Sequence, residues 1–170
     1  LRITGTAARW DYDAGYTHSE SKLHLDYSNM LNMAVVKDAL GNPNSKYFPY
    51  YIGAQAGKNP ASLYAAMVTN STSDSTTKLD IIDFKASREL MQLPGGALGL
   101  AVGAEHRRDK LDNPSLSGTE NGSINSSYVA AKGDSKVSAV FLEVLAPVIK
   151  TVELSGALRY DKYDRFSSTT

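Results

Sequence analysis

Charged side chains recur at alternate positions of several strand-like segments, and they are the residues of this sequence best suited to polar chemistry. The set is Lys85, Glu89, Glu105, Arg107, Glu143, Arg159 and Asp161. Acidic and basic groups in such an arrangement could line the path of a polar substrate, or they could pair across neighbouring strands. We favour cross-strand pairing and keep the substrate path as the alternative.

A second candidate site is a cluster of aromatic side chains in the first half of the chain. Its members are Tyr47, Phe48, Tyr50, Tyr51 and Tyr64. Aromatic rings offer a large, rigid contact area at low entropic cost, so the cluster could grip a small-molecule substrate. The same rings could instead pack the segment onto itself. The sequence leaves both roles open, and we carry the five residues as candidate substrate contacts.

Enzyme, metal and cofactor chemistry find no support in the sequence. His18, His24 and His106 are scattered without the spacing of metal ligands, and the chain has no cysteine. Asp11 and Asp13 lack the loop repeat of a calcium site. No nucleophile elbow, phosphate loop or dinucleotide fingerprint is present. We therefore predict no catalytic residue, no metal and no cofactor, and the net charge of zero gives no indication of nucleic-acid binding.

The elements that must position these side chains are five segments that alternate between apolar and polar residues with the period of a β-strand. They cover about residues 8–20, 78–93, 97–108, 138–146 and 152–164. In the third segment Leu98, Leu100 and Val102 share one face, whereas Glu105 and Arg107 lie on the other. The wall of a transmembrane barrel has this arrangement, with lipid outside and a polar lumen inside.

The connections between these segments alternate in length. Residues 93–96 (Leu-Pro-Gly-Gly) and 146–151 form short turns, whereas residues 21–77 and 109–136 form long loops. Alternation of this kind places both turns at one end of the sheet and both loops at the other. Outer-membrane barrels have short periplasmic turns and long extracellular loops, so the pattern favours a barrel of that class.

Two helices are predicted inside the first long loop. The first covers Ser28–Gly41, with Ser28 as its N-cap and Gly41 just past its end. The second covers Pro60–Met67, with Pro60 in its first turn. The Ser/Thr/Asn-rich stretches at residues 70–77 and 116–127 are predicted to be polar and mobile.

No apolar run of the sequence approaches the ~18 residues of a membrane-spanning helix, whereas barrel strands need only about 9–11 residues. Both ends of the chain interrupt a strand-like pattern. We therefore expect the sequence to be a segment of a longer protein.

The second half of the chain resembles the barrel hairpins of TonB-dependent outer-membrane receptors. The hairpin over residues 85–108 and the following one over residues 138–163 carry the likeness. Its most specific pieces are the Leu-Pro-Gly-Gly turn at residues 93–96, Gly-Ala-Glu-His-Arg-Arg at 103–108 and Ala-Leu-Arg-Tyr-Asp at 157–161. Residues 21–77 match no pattern known in that family.

The resemblance implies an all-β fold made of the antiparallel up-and-down strands of a transmembrane β-barrel. Residues 1–170 would supply about five of its strands, together with short helices in a long extracellular loop. Members of the family have a 22-stranded barrel that encloses an N-terminal plug domain, and a TonB box that couples them to the inner membrane. The chain contains neither plug nor TonB box, so we expect it to be part of the barrel domain alone.

The resemblance also implies a function and a set of partners. The chain would be a segment of a receptor in the bacterial outer membrane that binds and imports a scarce nutrient, such as an iron–siderophore complex, cobalamin or a carbohydrate. The long loops would contribute to substrate recognition, and the charged set named above would face the lumen. The partners would be outer-membrane lipid, the plug domain and, through it, TonB, and the nutrient itself.

Two features of the apolar face bear on this interpretation. Arg88 falls on that face, where a charge costs about 2–4 kcal/mol at the midplane of a barrel and almost nothing at its rim. We therefore expect Arg88 to lie near the rim, or its strand to be bulged there. Aromatic girdles at the membrane interfaces are predicted from Trp10, Tyr12, Tyr16, Tyr160 and Tyr163.

The alternative from a different class is a soluble all-β domain that binds a ligand or partner through its long loops. Its apolar face would then pack against another sheet rather than against lipid. A cooperative, monomeric protein that needs no detergent would support this alternative. An isolated barrel wall has two open edges and would aggregate in water.

Overall fold

The computed structural model describes residues 1–164, which form one six-stranded sheet with two short α-helices and a 3₁₀ turn. The strands are β1 (Arg2–Ala7), β2 (Trp10–Leu31), β3 (Val68–Leu93), β4 (Gly96–Asn113), β5 (Ala131–Ile149) and β6 (Val152–Tyr163). Their order in the sheet is their order in the chain, and neighbours run antiparallel. The predicted all-β, up-and-down architecture is confirmed, and the sheet is open within residues 1–164.

The structure has six strands rather than the five predicted, because residues 2–7 form a strand of their own. β1 pairs with β2 from Arg2↔Gly15 to Ala7↔Trp10. The turn between them is Ala8-Arg9, with φ values of 51° and 65°. Such left-handed values at both central residues match the twist of a two-residue hairpin. The turn was not predicted, because Ala and Arg rarely adopt that conformation.

The strands extend well past their predicted ends, so the predicted loop bounds 21–77 and 109–136 are wrong. The first long connection covers only residues 32–67, and the second covers residues 114–130. Serines of the supposedly mobile stretch 70–77 account for part of the difference. Ser71 Oγ donates to the Ser117 carbonyl oxygen at 2.7 Å, and Ser73 Oγ donates to the Pro114 carbonyl oxygen at 2.7 Å. The serine hydroxyls thus satisfy backbone carbonyl oxygens of the second connection that would otherwise bind water, and the bonds tie the two segments together.

Both predicted helices are present, although the first is shorter than expected. Helix α1 covers Met33–Gly41, and its N-cap is Asn32, whose side chain accepts a hydrogen bond from the Val35 amide at 3.4 Å. Ser28 instead belongs to β2, and Gly41 is the last helical residue rather than the residue after it. Helix α2 covers Ala61–Met67, and Pro60 is its N-cap rather than a residue of its first turn.

The chain divides into two compact units. The first contains residues 1–21 and 77–111 together with the chain from residue 133 on, and the second contains residues 22–76 and 112–132. The second unit has a small core of its own, in which Ala39 and Leu63 are fully buried and Met67 is nearly so. Partly buried side chains complete that core, namely Val35, Val36, Tyr47 and Tyr50.

One face of the sheet in the first unit is apolar and exposed. It carries the even-numbered residues of β3 to β6, including Ile82, Phe84, Val140, Leu142, Leu154 and Leu158. Leu158 is 73% exposed, far more than a packed domain would leave open. A contiguous apolar surface of this kind marks an interaction site or a lipid contact.

The apolar face ends at a row of charged residues. On β4 it runs from Leu98 to Ala104 and gives way to His106 and Arg108. Six residues separate Leu98 from Ala104, which is about 20 Å along a strand and about 15 Å along the normal of a barrel whose strands tilt by ~40°. The apolar residues of β4 thus cover more than half of the ~25 Å apolar band of an outer-membrane barrel. Among residues 1–164, no helix is long and apolar enough to cross a membrane.

Candidate functional site

The predicted polar set lies on the opposite, odd-numbered face of the same unit. β3 carries Lys85 and Glu89, and the later strands carry Glu105, Arg107, Glu143, Arg159 and Asp161. Contacts between strands show that these side chains share a face. The Lys85 ammonium lies 3.9 Å from a Glu143 carboxylate oxygen, and the Arg159 guanidinium lies 3.3 Å from the Glu105 carboxylate.

Most of this set is engaged in ion pairs. Arg159 also binds Asp161, two residues along β6, at 3.0 Å, and Arg107 makes a two-pronged contact with Asp109 at 2.8 Å. Their side chains are a third to a half exposed, so solvent screens each pair and its contribution to stability is small. The contacts are those expected of cross-strand pairing on a polar wall. A role in lining a substrate path stays a prediction.

Small residues on this face leave room for a concavity. Gly99 and Ala101 of β4 line a concave region of about 510 Å³, together with Ser87, Ser155 and Ala157. Three acidic residues, Asp11, Glu89 and Glu143, line the same region, as does Arg88. The surface therefore offers hydrogen-bond acceptors and negative charge to whatever lies against it. The small residues were recognised in the sequence, but nothing there showed that they would form one hollow.

Three of the five loop aromatics have structural roles in the second unit. Tyr47 and Tyr50 pack against the core formed by Ala39, Leu63 and Met67. The Tyr64 hydroxyl donates to the Ala56 carbonyl oxygen at 2.8 Å and accepts from the Asn59 side chain at 3.0 Å. These contacts support the alternative that the cluster packs the loop onto itself.

Phe48 and Tyr51 lie outside that core, although Tyr51 is only partly exposed and Tyr64 is itself 42% exposed. Phe48 is 47% exposed, and Lys58 stands over the Tyr51 ring at 5.3 Å from its centre. Two further apolar residues of this connection, Ile52 and Leu40, are 72% and 57% exposed and were not predicted to be so. Their exposure could not be inferred, because an apolar residue beside a cluster of rings is more often buried. Substrate contact by the aromatic cluster stays a prediction.

The charged row above the apolar face is a feature that the sequence analysis did not find. In the first unit, Asp80 accepts hydrogen bonds from Tyr16 at 2.9 Å and contacts His18 at 2.7 Å. Arg108 donates two hydrogen bonds to the Asp134 carboxylate, from Nε at 3.0 Å and from Nη2 at 2.5 Å. The hydrogen bonds from Arg108 lower the pKa of the Asp134 carboxyl. Alternation indicated the face of each residue but not its partner on the next strand.

A related contact lies in the second unit. His24 Nδ1 lies 2.5 Å from Asp74 Oδ1, and its Nε2 lies 3.2 Å from Asp26 Oδ2. The hydrogen bond with Asp74, supported by the charge of Asp26, raises the pKa of His24 above the ordinary 6.5. Within residues 1–164, no group of three or more His, Asp or Glu side chains is arranged to hold a metal ion.

Of the five predicted girdle residues, Trp10 and Tyr16 lie at opposite ends of the apolar face. Trp10 is the first residue of β2 and follows the Ala8-Arg9 turn directly, whereas Tyr16 contacts the charged row. Tyr160 lies on the apolar face of β6 and is 61% exposed. Tyr12 packs on Phe84 between the two ends, with ring centres 6.0 Å apart, and Tyr163 lies on the other face.

Arg88 lies beside Trp10, near the short-turn end of the face. Its guanidinium carbon is 5.9 Å from the centre of the Trp10 ring. The contact places Arg88 level with the first residue of β2, which agrees with the predicted position near the rim. There the cost of a charge on the lipid side falls well below the ~2–4 kcal/mol of the midplane.

Comparison with known protein families identifies the architecture. The family model described as "TonB dependent receptor-like, beta-barrel" matches residues 2–170, almost the whole chain. The chain belongs to this family. No curated protein and no solved structure matches the chain.

Membership in the TonB-dependent receptor family defines the general role of the chain. The family consists of receptors and transporters of the Gram-negative outer membrane rather than enzymes. The predicted resemblance is therefore confirmed, and it extends over the first half of the chain, where the sequence analysis found no match. Membership also favours a membrane barrel over the alternative of a soluble all-β domain.

Proposed function

We propose that the chain forms part of the wall and of the outer mouth of a receptor that imports a scarce nutrient across the outer membrane. The observation that carries this proposal is the difference between the two ends of the sheet: one has short turns and the other has long connections. Three turns of two residues, at 8–9, 94–95 and 150–151, alternate with connections of residues 32–67 and 114–130. The short turns would face the periplasm, and the two connections would lie outside the cell.

The two faces of the sheet support the same proposal. The exposed apolar face would meet the hydrocarbon region of the bilayer, and the opposite face carries Lys85, Glu89, Glu105, Arg107, Glu143, Arg159 and Asp161. We infer that this second face lines the lumen and meets the plug domain, which TonB acts upon. The concave region lined by Asp11, Glu89 and Glu143 would receive hydrogen-bond donors or cationic groups.

A labelling experiment tests the orientation. The chain has no cysteine, so a single introduced thiol is a clean reporter. Ser126→Cys lies in the second connection and Thr151→Cys in the β5–β6 turn, and both positions are exposed. On intact cells a membrane-impermeant maleimide should label the first variant alone, and both after lysis. Labelling of the Thr151 variant on intact cells would refute the proposal.

The nutrient class requires a separate measurement. We propose an iron–siderophore complex, cobalamin or a carbohydrate as the substrate, because these are scarce and too large for general pores. Cells with and without the gene should differ in uptake of one of the three, and collapse of the proton gradient should abolish the difference. Independence of all three uptakes from the gene would overturn the proposal.

The loop aromatics can be tested in the same assay. Phe48→Ala removes the exposed ring without touching the loop core, so reduced uptake would place Phe48 at the substrate. Leu40→Ala is the matched control, because Leu40 is exposed at 57% on the same connection but lies outside the aromatic cluster. Equal uptake by both variants and the parent would remove the aromatic cluster from substrate recognition.

A further inference from the structure

Arg88 has an unusual environment for a residue on the lipid side of a barrel. Its Nε is buried and has no hydrogen-bond partner among residues 1–164. No carboxylate of those residues forms an ion pair with it either. The chain itself closes Nε to an outside acceptor, whereas the two terminal nitrogens of the guanidinium are not buried in this way and make no hydrogen bond within residues 1–164. Any acceptor for them must therefore come from outside these residues.

Trp10 fixes one side of the guanidinium group and leaves its edge available. The guanidinium carbon lies 5.9 Å from the centre of the indole ring, at the outer limit of a cation–π contact. Stacking on an aromatic face orients the planar fork without using any of its hydrogen-bond donors. The two terminal nitrogens are therefore available to an acceptor with two or more oxygens.

The height of Arg88 on the sheet selects the acceptor. Eight residues of β3 separate it from Asp80 in the charged row, which is about 20 Å along the normal of a barrel with strands tilted by ~40°. Arg88 thus lies about 5 Å, or two strand residues, from the lower edge of a band that is ~25 Å tall. Lipid headgroups are the acceptors at that level, and an arginine side chain is long enough to reach them.

We propose that Arg88 and Trp10 form a binding site for the phosphate of a glycerophospholipid in the periplasmic leaflet. The guanidinium would donate two parallel hydrogen bonds to phosphate oxygens, while the indole and Leu90 contact the glycerol and the upper acyl chain. Phosphate geometry matches the guanidinium fork, and the negative charge offsets the one positive charge on this part of the face. The inference rests on the proposed placement of the chain in the outer membrane.

Fluorescence of Trp10 provides the test, since it is the only tryptophan of the chain. The protein is reconstituted in bilayers that contain either dibrominated phosphatidylglycerol or a dibrominated galactosyl diacylglycerol, which has no phosphate. A Trp10→Phe version provides the background. Bromine quenches on contact, so the dependence on lipid composition reports which lipid occupies the site beside Trp10.

The parent should prefer the phospholipid by about five-fold, the factor expected of one arginine at an anionic lipid surface. Arg88→Gln should lose this preference, and Arg88→Lys should keep part of it, because a point charge attracts phosphate without the fork. Arg9→Gln is the matched control, because Arg9 is an exposed cation next to Trp10. It should keep the full preference.

Three results would overturn the site. The first is an equal affinity of the parent for both lipids, and the second is an unchanged preference in Arg88→Gln. The third is a loss of the parent's preference when soluble glycerol phosphate is added, which would indicate a site for anions from the aqueous phase. A fourth result separates this inference from the proposed function. If neither brominated lipid quenches Trp10, the chain does not lie in the bilayer as proposed, whereas equal quenching refutes the phosphate site alone.

Discussion

Gly103 of β4 lies directly beneath the ring of Phe141 on β5, and replacing it with alanine tests how closely the polar face is packed. A Cβ built on Gly103 would overlap the ring atom Cζ and stand 2.6 and 2.7 Å from Cε1 and Cε2. Cβ atoms do not approach other carbons so closely. Either the ring or the backbone of β4 must move in Gly103→Ala.

The expected magnitude follows from two opposing effects. Inserting a methyl group into a packed site costs about 1–3 kcal/mol, whereas alanine in place of glycine within a strand gains about 0.5–1 kcal/mol. We expect a net loss of about 1–2 kcal/mol in the free energy of unfolding. With a urea m-value of ~2 kcal/mol per molar, the midpoint should fall by about 0.5–1 M.

The assay is urea unfolding in lipid vesicles, followed by Trp10 fluorescence and by heat-modifiable gel mobility. Phe141→Ala removes the obstacle, so Gly103→Ala in that background should be neutral or stabilising. The coupling between the two sites should then amount to about 1–3 kcal/mol. Gly156→Ala is the control, because a Cβ there meets no atom within 4 Å. The reasoning is refuted if Gly103→Ala has no effect alone, or destabilises equally with and without the Phe141 ring.

Two further predictions concern the second unit. Because the folded state raises the pKa of His24, its contribution to stability is complete below pH 6.5 and is lost as pH rises through the folded pKa. His24→Gln should abolish this part of the pH dependence of the urea midpoint, and an unchanged profile would contradict the His24–Asp74 contact. Leu63→Ala should cost the loop core about 2–5 kcal/mol and expose residues 33–67 to limited proteolysis, while gel mobility still reports a folded barrel. A variant as protease-resistant as the parent would show that the buried Leu63 does not hold the loop together.

The sequence was sufficient to predict the sheet because the lipid and lumen faces impose a strict two-residue period. Leu98, Leu100 and Val102 could not face the same side as Glu105 in any strand, so the face of each residue was determined by counting. The short turn at residues 93–96 was also predictable, because Pro-Gly-Gly is unfavourable inside a strand or helix and favourable in a turn. The Ala8-Arg9 turn has no such signature, and β1 was missed with it.

The ends of the strands and the partners of the charged residues were beyond prediction for a different reason. Ser71 and Ser73 read as a mobile polar stretch because their hydrogen-bond acceptors lie more than 40 residues away, at Ser117 and Pro114. The pairing of Arg108 with Asp134 likewise depends on the register between β4 and β5. Register is a property of two strands together, so a single strand does not reveal it.

The chain-order arrangement of β1 to β6 has a consequence for how such a protein can change in evolution. Each strand pairs only with its neighbours in sequence, so one whole hairpin can be gained or lost while every other pairing keeps its register. Loss of a single strand is different, because it reverses the direction of every strand that follows. The connection at residues 114–130 would then emerge on the periplasmic side, and the turn at 150–151 on the outside. The number of strands therefore stays even or stays odd, and the smallest heritable step in barrel size is two strands.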